Sequence, residues 1–386
     1  MILDVLVLIS AAFWTLGGLY LAVGWTRFEG VRKASEASGP PGADWPLVSV
    51  IIPARDEGTS IRETLTRLAE STYPNVEVLV VNDRSSDATG DIARSFRSSI
   101  HDLTVIDIDN LPELWLGKTH AMQIGYQQSR GDWLCFVDAD VKLTDDCIHR
   151  AMAVVVAREL DHLALFPSME IHGIAEGAFV MAFAFFFGAY VQPWKAKDPK
   201  SSKFCGVGAF NLIRRTAYEG IGTHEALRLE IADDLKLGKL IKRHGFRQDV
   251  LDGDRRLSVR WQSGGLSGYV GGLEKNAFAG LNYSLMRVVL ATAGVFLLSV
   301  VPFVGVLMAE GYGQWASFLS VFLIAVAHVP IARQMGISWL YFIAHPLAAI
   351  LLIWSIWRST FKALRTGHVT WRGTDYPLTL LRKYVV

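Results

Sequence analysis

Asp138 and Asp140, in "FVDADV" (136–141), are the residues whose types and spacing most directly suggest chemistry. They follow the apolar run "WLCF", which reads as a strand. Residues two apart on a strand point to one face, so both carboxylates are expected to leave its tip side by side. Two such charges repel, and they either share a proton or hold a cation. With no His or Cys nearby, the hard oxygen ligands point to Mg²⁺ or Mn²⁺, completed by substrate phosphates and water. A metal bridging a diphosphate is the natural use of such a pair. A lone D-x-D also occurs in solvated acidic turns, so the pair needs support from elsewhere in the chain.

Two further residues supply it. Asp83, in "VNDRSSDAT", ends another strand on the same edge, where a carboxylate can accept from a base N–H or a ribose hydroxyl. Ordering of the loop "NDRSSD" is the alternative, and it suits Asp87 at the next helix start. Lys118, in "LGKTHA", opens a helix, where free N–H groups and an ammonium together suit a phosphate. Exposed lysines are also commonly just solvated.

The elements that must position these groups alternate. "LVSVIIP", "VEVLVVND", "LTVIDID" and "DWLCFVDAD" read as strands, separated by the helical stretches "TSIRETLTRLAES", "DATGDIARSFRSS" and "GKTHAMQIGYQQS". Such alternation implies an α/β fold with a mostly parallel sheet and helices on both faces. In these sheets ligands bind beyond the carboxyl ends of the strands. "PARDE", "NDRSSD" and "DAD" all fall there.

Composition adds a membrane. Of 386 residues 51% are hydrophobic, and the mean hydropathy is +0.28. Residues 5–25 form an uncharged run long enough to span a bilayer, and Arg27, Arg32 and Lys33 after it place the α/β region in the cytoplasm. Further apolar runs lie at 288–308, 315–332 and 337–357. The basic tail from Arg358 argues for a cytoplasmic end, so one of the three is expected to be re-entrant, with Pro302, Pro330 and Pro346 as helix breakers. The stretch 178–194 is short for a span and reads as an interfacial helix. The 38 basic and 37 acidic residues nearly balance, which indicates no nucleic-acid partner. Cys135, Cys147 and Cys205 match neither a disulfide framework nor a metal spacing, as expected in a reducing compartment.

Taken together, "VSVIIPARDE", "VLVVNDRSSDAT", "FVDADV" and "IADDLKLGKLIKRHG" resemble the inverting family 2 glycosyltransferases in order and approximate spacing. The resemblance implies a GT-A nucleotide-sugar-binding fold over residues 47–270. It implies that Pro53, Ala54, Glu57, Asp83 and Lys118 hold the nucleotide and its phosphates. Asp138 and Asp140 would hold the metal and diphosphate. Asp234 would be the catalytic base, with Asp233 beside it orienting the helix start. Arg260 and Trp261 in "LSVRWQSG" partly match a (Gln/Arg)-x-x-Arg-Trp motif, which has Leu257 at its first position here. Arg260 would meet the diphosphate and Trp261 the acceptor. "TWRGTDY" (370–376) is similar to the tail of members that act on ceramide, hopanoid or carotenoid-type acceptors, and would bring Arg372 to the diphosphate. "FCGVGAFN" (204–211) and His224 in "GTHEAL" resemble an acceptor-side segment in which a lone histidine reads as structural.

The expected organisation is an anchor at 1–26, a linker at 27–46, a cytoplasmic GT-A domain at 47–270 and a C-terminal membrane region with a cytoplasmic tail at 271–386. The expected activity is metal-dependent transfer of a sugar, with inversion, from a nucleotide diphosphate sugar (a UDP-sugar) to a membrane-lipid hydroxyl. A polysaccharide synthase, a polyprenyl-phosphate sugar transferase and a non-catalytic scaffold are the rivals. The sequence names neither sugar nor lipid and fixes no oligomeric state.

Overall fold

A computed structural model describes residues 2–36, 45–260 and 264–386. The chain divides into a sheet unit, Phe28–Ser168 with Gln192–Arg260 and Val386, and a helical unit, Met1–Arg27 with Met169–Val191 and Trp261–Val385.

In the sheet unit the strands are β1 (Val48–Ala54), β2 (Val76–Asp83), β3 (Leu103–Ile108), β4 (Trp133–Phe136), β5 (Val141–Leu143), β6 (His162–Phe166), β7 (Ser168–Met169), β8 (Asn211–Arg214), β9 (Gln248–Asp252) and β10 (Leu257–Val259). Seven of them form one sheet in the order β3-β2-β1-β4-β8-β6-β9. β1 is parallel to β2 and β4, β2 to β3, and β6 to β9, while β8 runs antiparallel between β4 and β6. Val48, Val50, Ile51 and Ile52 of β1 are fully buried, as a central strand covered on both faces requires. Each such side chain contributes about 1.5–3 kcal/mol by leaving water. The helix Ile61–Ala69 buries Ile61, Leu65 and Leu68, one stripe at helical spacing.

The four strands read from the sequence are β1 to β4, and β6, β8 and β9 complete the sheet. One expectation changes. β4 stops at Phe136, so Asp138 and Asp140 stand in a turn rather than on the strand. Val137 still donates to Ile51 O at 3.1 Å, and Val141 then donates to Asp138 O at 3.3 Å. β5 leaves that turn and pairs antiparallel with β10, Val141 opposite Val259.

The stretch expected as a linker holds the short helix Val31–Glu36, which buries Val31 and Ala34. Arg32 Nε reaches Asp254 at 3.1 Å, and Gly30 bridges Asp252 of β9.

The helical unit contains Ile2–Thr26, Ile174–Lys195, Leu285–Met308, Gly311–Met335 and Trp339–Thr366, five helical stretches long and apolar enough to cross a membrane. The second begins at Ile174, four residues before the expected start, which brings it to spanning length. Pro302 and Pro346 sit in the first turns of Val301–Met308 and His345–Thr366, whereas Pro330 lies inside Gly311–Met335. Leu16, Leu290, Phe322 and Leu347 are among many large apolar side chains left exposed, the pattern of lipid-facing helices. Inside the bundle every ring nitrogen of His328 and His345 is bonded. His328 Nδ1 meets Ile324 O at 2.7 Å, His328 Nε2 meets His345 Nδ1 at 3.2 Å, and His345 Nε2 meets Ser299 Oγ at 2.8 Å. Polar groups in an apolar interior are tolerated on that condition. At the end of the unit a hairpin, His368–Trp371 with Thr374–Pro377, turns at Arg372 and Gly373, both at positive φ.

Candidate active site

Chain direction gathers the candidate residues at one edge of the sheet. β1, β2 and β4 all end there, and β8, being antiparallel, begins there at Asn211. The loops after β1 and β2 are cross-tied: Asp56 Oδ1 accepts from Ser86 N at 2.7 Å and Asp87 Oδ2 from Gly58 N at 2.9 Å, while Glu57 N donates to Thr89 Oγ1 at 2.8 Å. Asp87 also accepts from Thr89 N at 3.0 Å, the ordering role expected of it.

At the centre Lys118, second residue of the helix Gly117–Gln128, places its Nζ 2.6 Å from Asp138 Oδ1. Asp233 and Asp234 open the helix Asp233–Arg243 on the other side. Both oxygens of Asp234 accept backbone N–H groups, Leu235 N at 2.7 Å and Gly208 N at 2.8 Å, which fixes the carboxylate plane. Burial works against the charge on Lys118, but Asp138, Asp233 and Asp234 together hold its pKa above the ordinary value. The acids move the other way. Burial, then the charges of Asp138 and Glu57, pushes Asp140 up to about 7. Burial also pushes Asp233 up to about 7 and raises Asp234, with Lys118 opposing both.

A cavity of about 10 Å³ lies among these groups, lined by Pro53, Lys118, Asp138, Gly208, Asp233 and Asp234, and also by Asn211 and His224. The glycines of "FCGVGAFN" make the approach of the two halves possible. A Cβ on Gly208 would stand 2.8 Å from Asp138 Oδ2, and one on Gly206 would collide with the carbonyl of Asp234. Gly208 and Asn211 had no individual role in the sequence reading; two glycines one residue apart before the apolar strand "NLIR" were the available signal.

The other candidates are more dispersed. Pro53 lines the cavity, and Ala54, paired in register with Asn82, ends β1 beside Asp83. Asp83 is buried, and Arg84 donates to both of its oxygens, Nε to Oδ1 at 2.7 Å and Nη2 to Oδ2 at 3.0 Å. Glu57 accepts from Ser60 Oγ at 2.8 Å, and its charge acts on Asp140, so it stands nearer the metal-type acids than the sequence reading put it. Arg260 follows Val259, whose partner is Val141, so the register carried one residue further sets Arg260 across from Asp140. Its Nε is buried without a hydrogen-bond partner among the described residues, a state that costs free energy until an acceptor arrives. Arg372 stands at the turn of the hairpin in the helical unit. Trp261 lies outside the described residues.

Among the described residues no group of three or more His, Cys, Asp or Glu side chains forms a ready-made metal cage. Two carboxylates, Asp138 and Asp140, suit Mg²⁺ or Mn²⁺ bound jointly with substrate phosphates. Burial first, and then the charges of Asp138 and Glu57, raise the pKa of Asp140, and a bound cation would lower it again.

A sheet of this order, with acids and a helix-borne lysine at its carboxyl edge, is the GT-A fold, and residues 49–222 match the family described as glycosyl transferase family 2. The chain therefore carries, over a little under half of its length, a stretch that matches the family 2 glycosyltransferase domain. It is 24% identical over 341 residues to a 4,4'-diaponeurosporenoate glycosyltransferase of Staphylococcus aureus, covering 86% of this chain and 88% of that one. Over 97 residues it is 43% identical to a probable glycosyltransferase of Bacillus subtilis, which covers 25% of this chain and 23% of that one. Among solved structures, a mannosyltransferase from Pyrobaculum calidifontis, in complex with GDP-Man and Mn²⁺, aligns with a TM-score of 0.50 and 16% identity, over 93% of this chain and 99% of that one.

Proposed function

We propose that this protein transfers one sugar, with inversion, from a nucleotide diphosphate sugar, in our reading a UDP-sugar, to a hydroxyl of a membrane lipid. The observation that carries the reading is that Lys118 and Asp138, 2.6 Å apart, line one small cavity together with Asp234. Groups that suit the leaving diphosphate and a group that suits the attacking hydroxyl thus border one hole. A metal bound by Asp138 and Asp140 with the diphosphate would neutralise charge developing on the leaving group.

The chain's own residues supply the rest. Lys118 contributes a fixed positive charge beside the diphosphate, with Arg260 as a second donor. Asp234 accepts the proton of the acceptor hydroxyl as its oxygen attacks the anomeric carbon and the bond to the diphosphate breaks from the opposite face. One displacement inverts the configuration. The two backbone N–H groups on Asp234 hold it in place without consuming all its lone pairs. Burial raises its pKa and so makes it a stronger base than a solvated carboxylate.

Five long apolar helices and a full-length relative named for glycosylating 4,4'-diaponeurosporenoate support an apolar acceptor drawn from the bilayer. The catalytic unit then faces the cytoplasm, as the basic residues after the first apolar run suggest. The test is transfer from labelled UDP-sugars and GDP-mannose to total membrane lipid, with the protein in nanodiscs and Mg²⁺ or Mn²⁺ set against chelator. Label entering the organic phase only with metal is expected. Label in a water-soluble polymer, or no transfer from any donor, would overturn the reading.

A further inference from the structure

His224 has no part in the mechanism above, yet its ring lines the same cavity as Lys118, Asp138 and Asp234. The residue is 1% exposed. Its Nδ1 lies 2.6 Å from Tyr218 Oη, and its backbone N–H donates to that same oxygen at 3.0 Å. The phenol's own hydrogen has no other acceptor among the described residues, so it goes to Nδ1. The hydrogen of the neutral imidazole must then sit on Nε2. Phe136 meets the ring edge-on at 4.8 Å and holds its plane. Burial, reinforced by the charge of Lys118, lowers the His224 pKa to about 3, so the ring stays neutral at physiological pH. No described residue accepts from Nε2.

A buried N–H donor without an acceptor costs free energy unless something meets it. The space is small: about 10 Å³ is the room of one water or one hydroxyl. Around it stand His224, the side chains of Lys118 and Asn211, and the carboxylates of Asp138, Asp233 and Asp234. A hydroxyl matches that set, since it accepts and donates at once. Its oxygen can take the Nε2 hydrogen while its own hydrogen goes to a carboxylate. A methylene or hydrogen in its place would leave both sides unmet.

We propose that His224 is a specificity residue for the transferred sugar, its Nε2–H donating to one hydroxyl of the sugar at the bottom of the cavity. Tyr218 is its positioning residue, acting by fixing the tautomer. This rests on the nucleotide-sugar reading of the site. The walls beside the hole, Met122, Phe136 and Leu237, are buried. A group that fills the hole is therefore enclosed by apolar side chains, and in the nucleotide-sugar reading that group is the donor's.

The test is calorimetric binding to the full-length protein in nanodiscs with Mn²⁺. UDP-glucose, UDP-galactose, UDP-N-acetylglucosamine and GDP-mannose are compared with bare UDP and GDP. His224→Phe should weaken the preferred nucleotide sugar about five- to tenfold, the size of one net hydrogen bond, and leave the bare nucleotide within about twofold. His224→Gln, which keeps an N–H donor, should recover part of the loss, and Tyr218→Phe should give an intermediate loss confined to nucleotide sugars. Equal losses for sugar nucleotide and bare nucleotide would show a merely structural histidine and overturn the proposal. So would unchanged nucleotide-sugar affinity in His224→Phe. A wild type that binds bare nucleotide but no nucleotide sugar also overturns it, and one that binds neither removes the donor reading and this proposal together.

Discussion

Gly208→Ala puts a single methyl group among the reacting residues and nowhere else. The new carbon would stand 2.8 Å from Asp138 Oδ2, 3.3 Å from Asp234 Oδ2 and 3.3 Å from Lys118 Nζ, where ordinary contact begins at 3.4 Å. The deficit at Asp138 is 3.4 − 2.8 = 0.6 Å, and at the other two it is 0.1 Å. Asp138 must therefore move, and Lys118, held to it at 2.6 Å, must follow or let go. A misplacement near 1 Å in a reacting group costs on the order of 100-fold in rate, so a loss of about 10- to 100-fold in kcat is expected. The fold should survive. The crowded atoms are side-chain ends, and Gly208 is not among the glycines at positive φ, so alanine meets no backbone strain. Stability should fall by only about 1 kcal/mol. The measurement is steady-state transfer beside the thermal midpoint, with Gly173→Ala, where a Cβ meets nothing within 4 Å, as the control. Wild-type turnover by a folded Gly208→Ala enzyme would refute the idea that these three groups act together.

Three other outcomes follow from the same geometry. Asp234→Asn should lower transfer at least about a thousandfold while donor binding persists, and because an amide NH₂ must face either Gly208 N–H or Leu235 N–H it should also cost about 1–2 kcal/mol of stability; wild-type transfer would sink the base assignment. The kcat/KM profile should rise with pH above the ordinary carboxylate range as the Asp233–Asp234 pair loses its proton, and Asp233→Asn, by removing a like charge, should move that limb to lower pH; a profile flat from pH 5 to 8 would contradict it. Asp252 is pushed up to about 7 by burial and the charge of Asp254, so between pH 4 and 7 the unfolded state ionises first and stability falls as pH rises. Asp252→Asn should remove that fall, a few kcal/mol at most, as read by denaturant titration at pH 5 and 8.

β1, β2 and β4 were legible as buried β-branched or apolar runs, and β3, half-exposed at the sheet edge, as a β-branched run leading into Asp109 and Asn110. β6, β8 and β9 were not, because buried polar residues interrupt their apolar pattern. His162 of β6 bonds Asn211 Oδ1 of β8 at 3.1 Å through Nε2, and Gln248 of β9 donates to its Nδ1 at 3.0 Å. These residues look like surface in sequence and are satisfied only by one another across neighbouring strands. The acids were legible as a set, but not their surroundings. Adjacent side chains on a strand point to opposite faces, so nothing in "NDRSS" announced that Arg84 would clasp Asp83. The clasp exists because Arg84 leaves the strand at φ +54°. Lys118 was read as a phosphate ligand, and only the fold shows it answering three carboxylates at once.

Length alone does not decide which apolar helices cross a bilayer, and the sheet supplies a stricter criterion. The chain leaves the sheet unit at Ser168 and re-enters it at Gln192. β6 before the excursion and β8 after it are hydrogen-bonded neighbours, so both lie on one side of any membrane. Were Ile174–Lys195 a single crossing, residues 196–210 would have to recross as irregular chain, leaving backbone N–H and C=O groups unpaired in hydrocarbon at several kcal/mol each. We propose that the helix keeps both ends on one side, the interfacial arrangement expected for 178–194. A second constraint comes from Val386, whose carbonyl accepts from Lys236 Nζ at 2.8 Å and Lys239 Nζ at 2.7 Å in the sheet unit. An even number of crossings is then expected between Arg260 and Val386, which would leave one of the three later apolar stretches not crossing. The native cysteines are buried and free, which leaves a silent background for labelling. With His172→Cys, Lys200→Cys and Asp375→Cys, all at exposed positions, an impermeant maleimide should react from the same membrane face in every case. Lys200→Cys reacting from the face opposite to His172→Cys would make Ile174–Lys195 a crossing after all. Asp375→Cys reacting opposite to Lys200→Cys would restore three crossings and take the tail away from the catalytic unit.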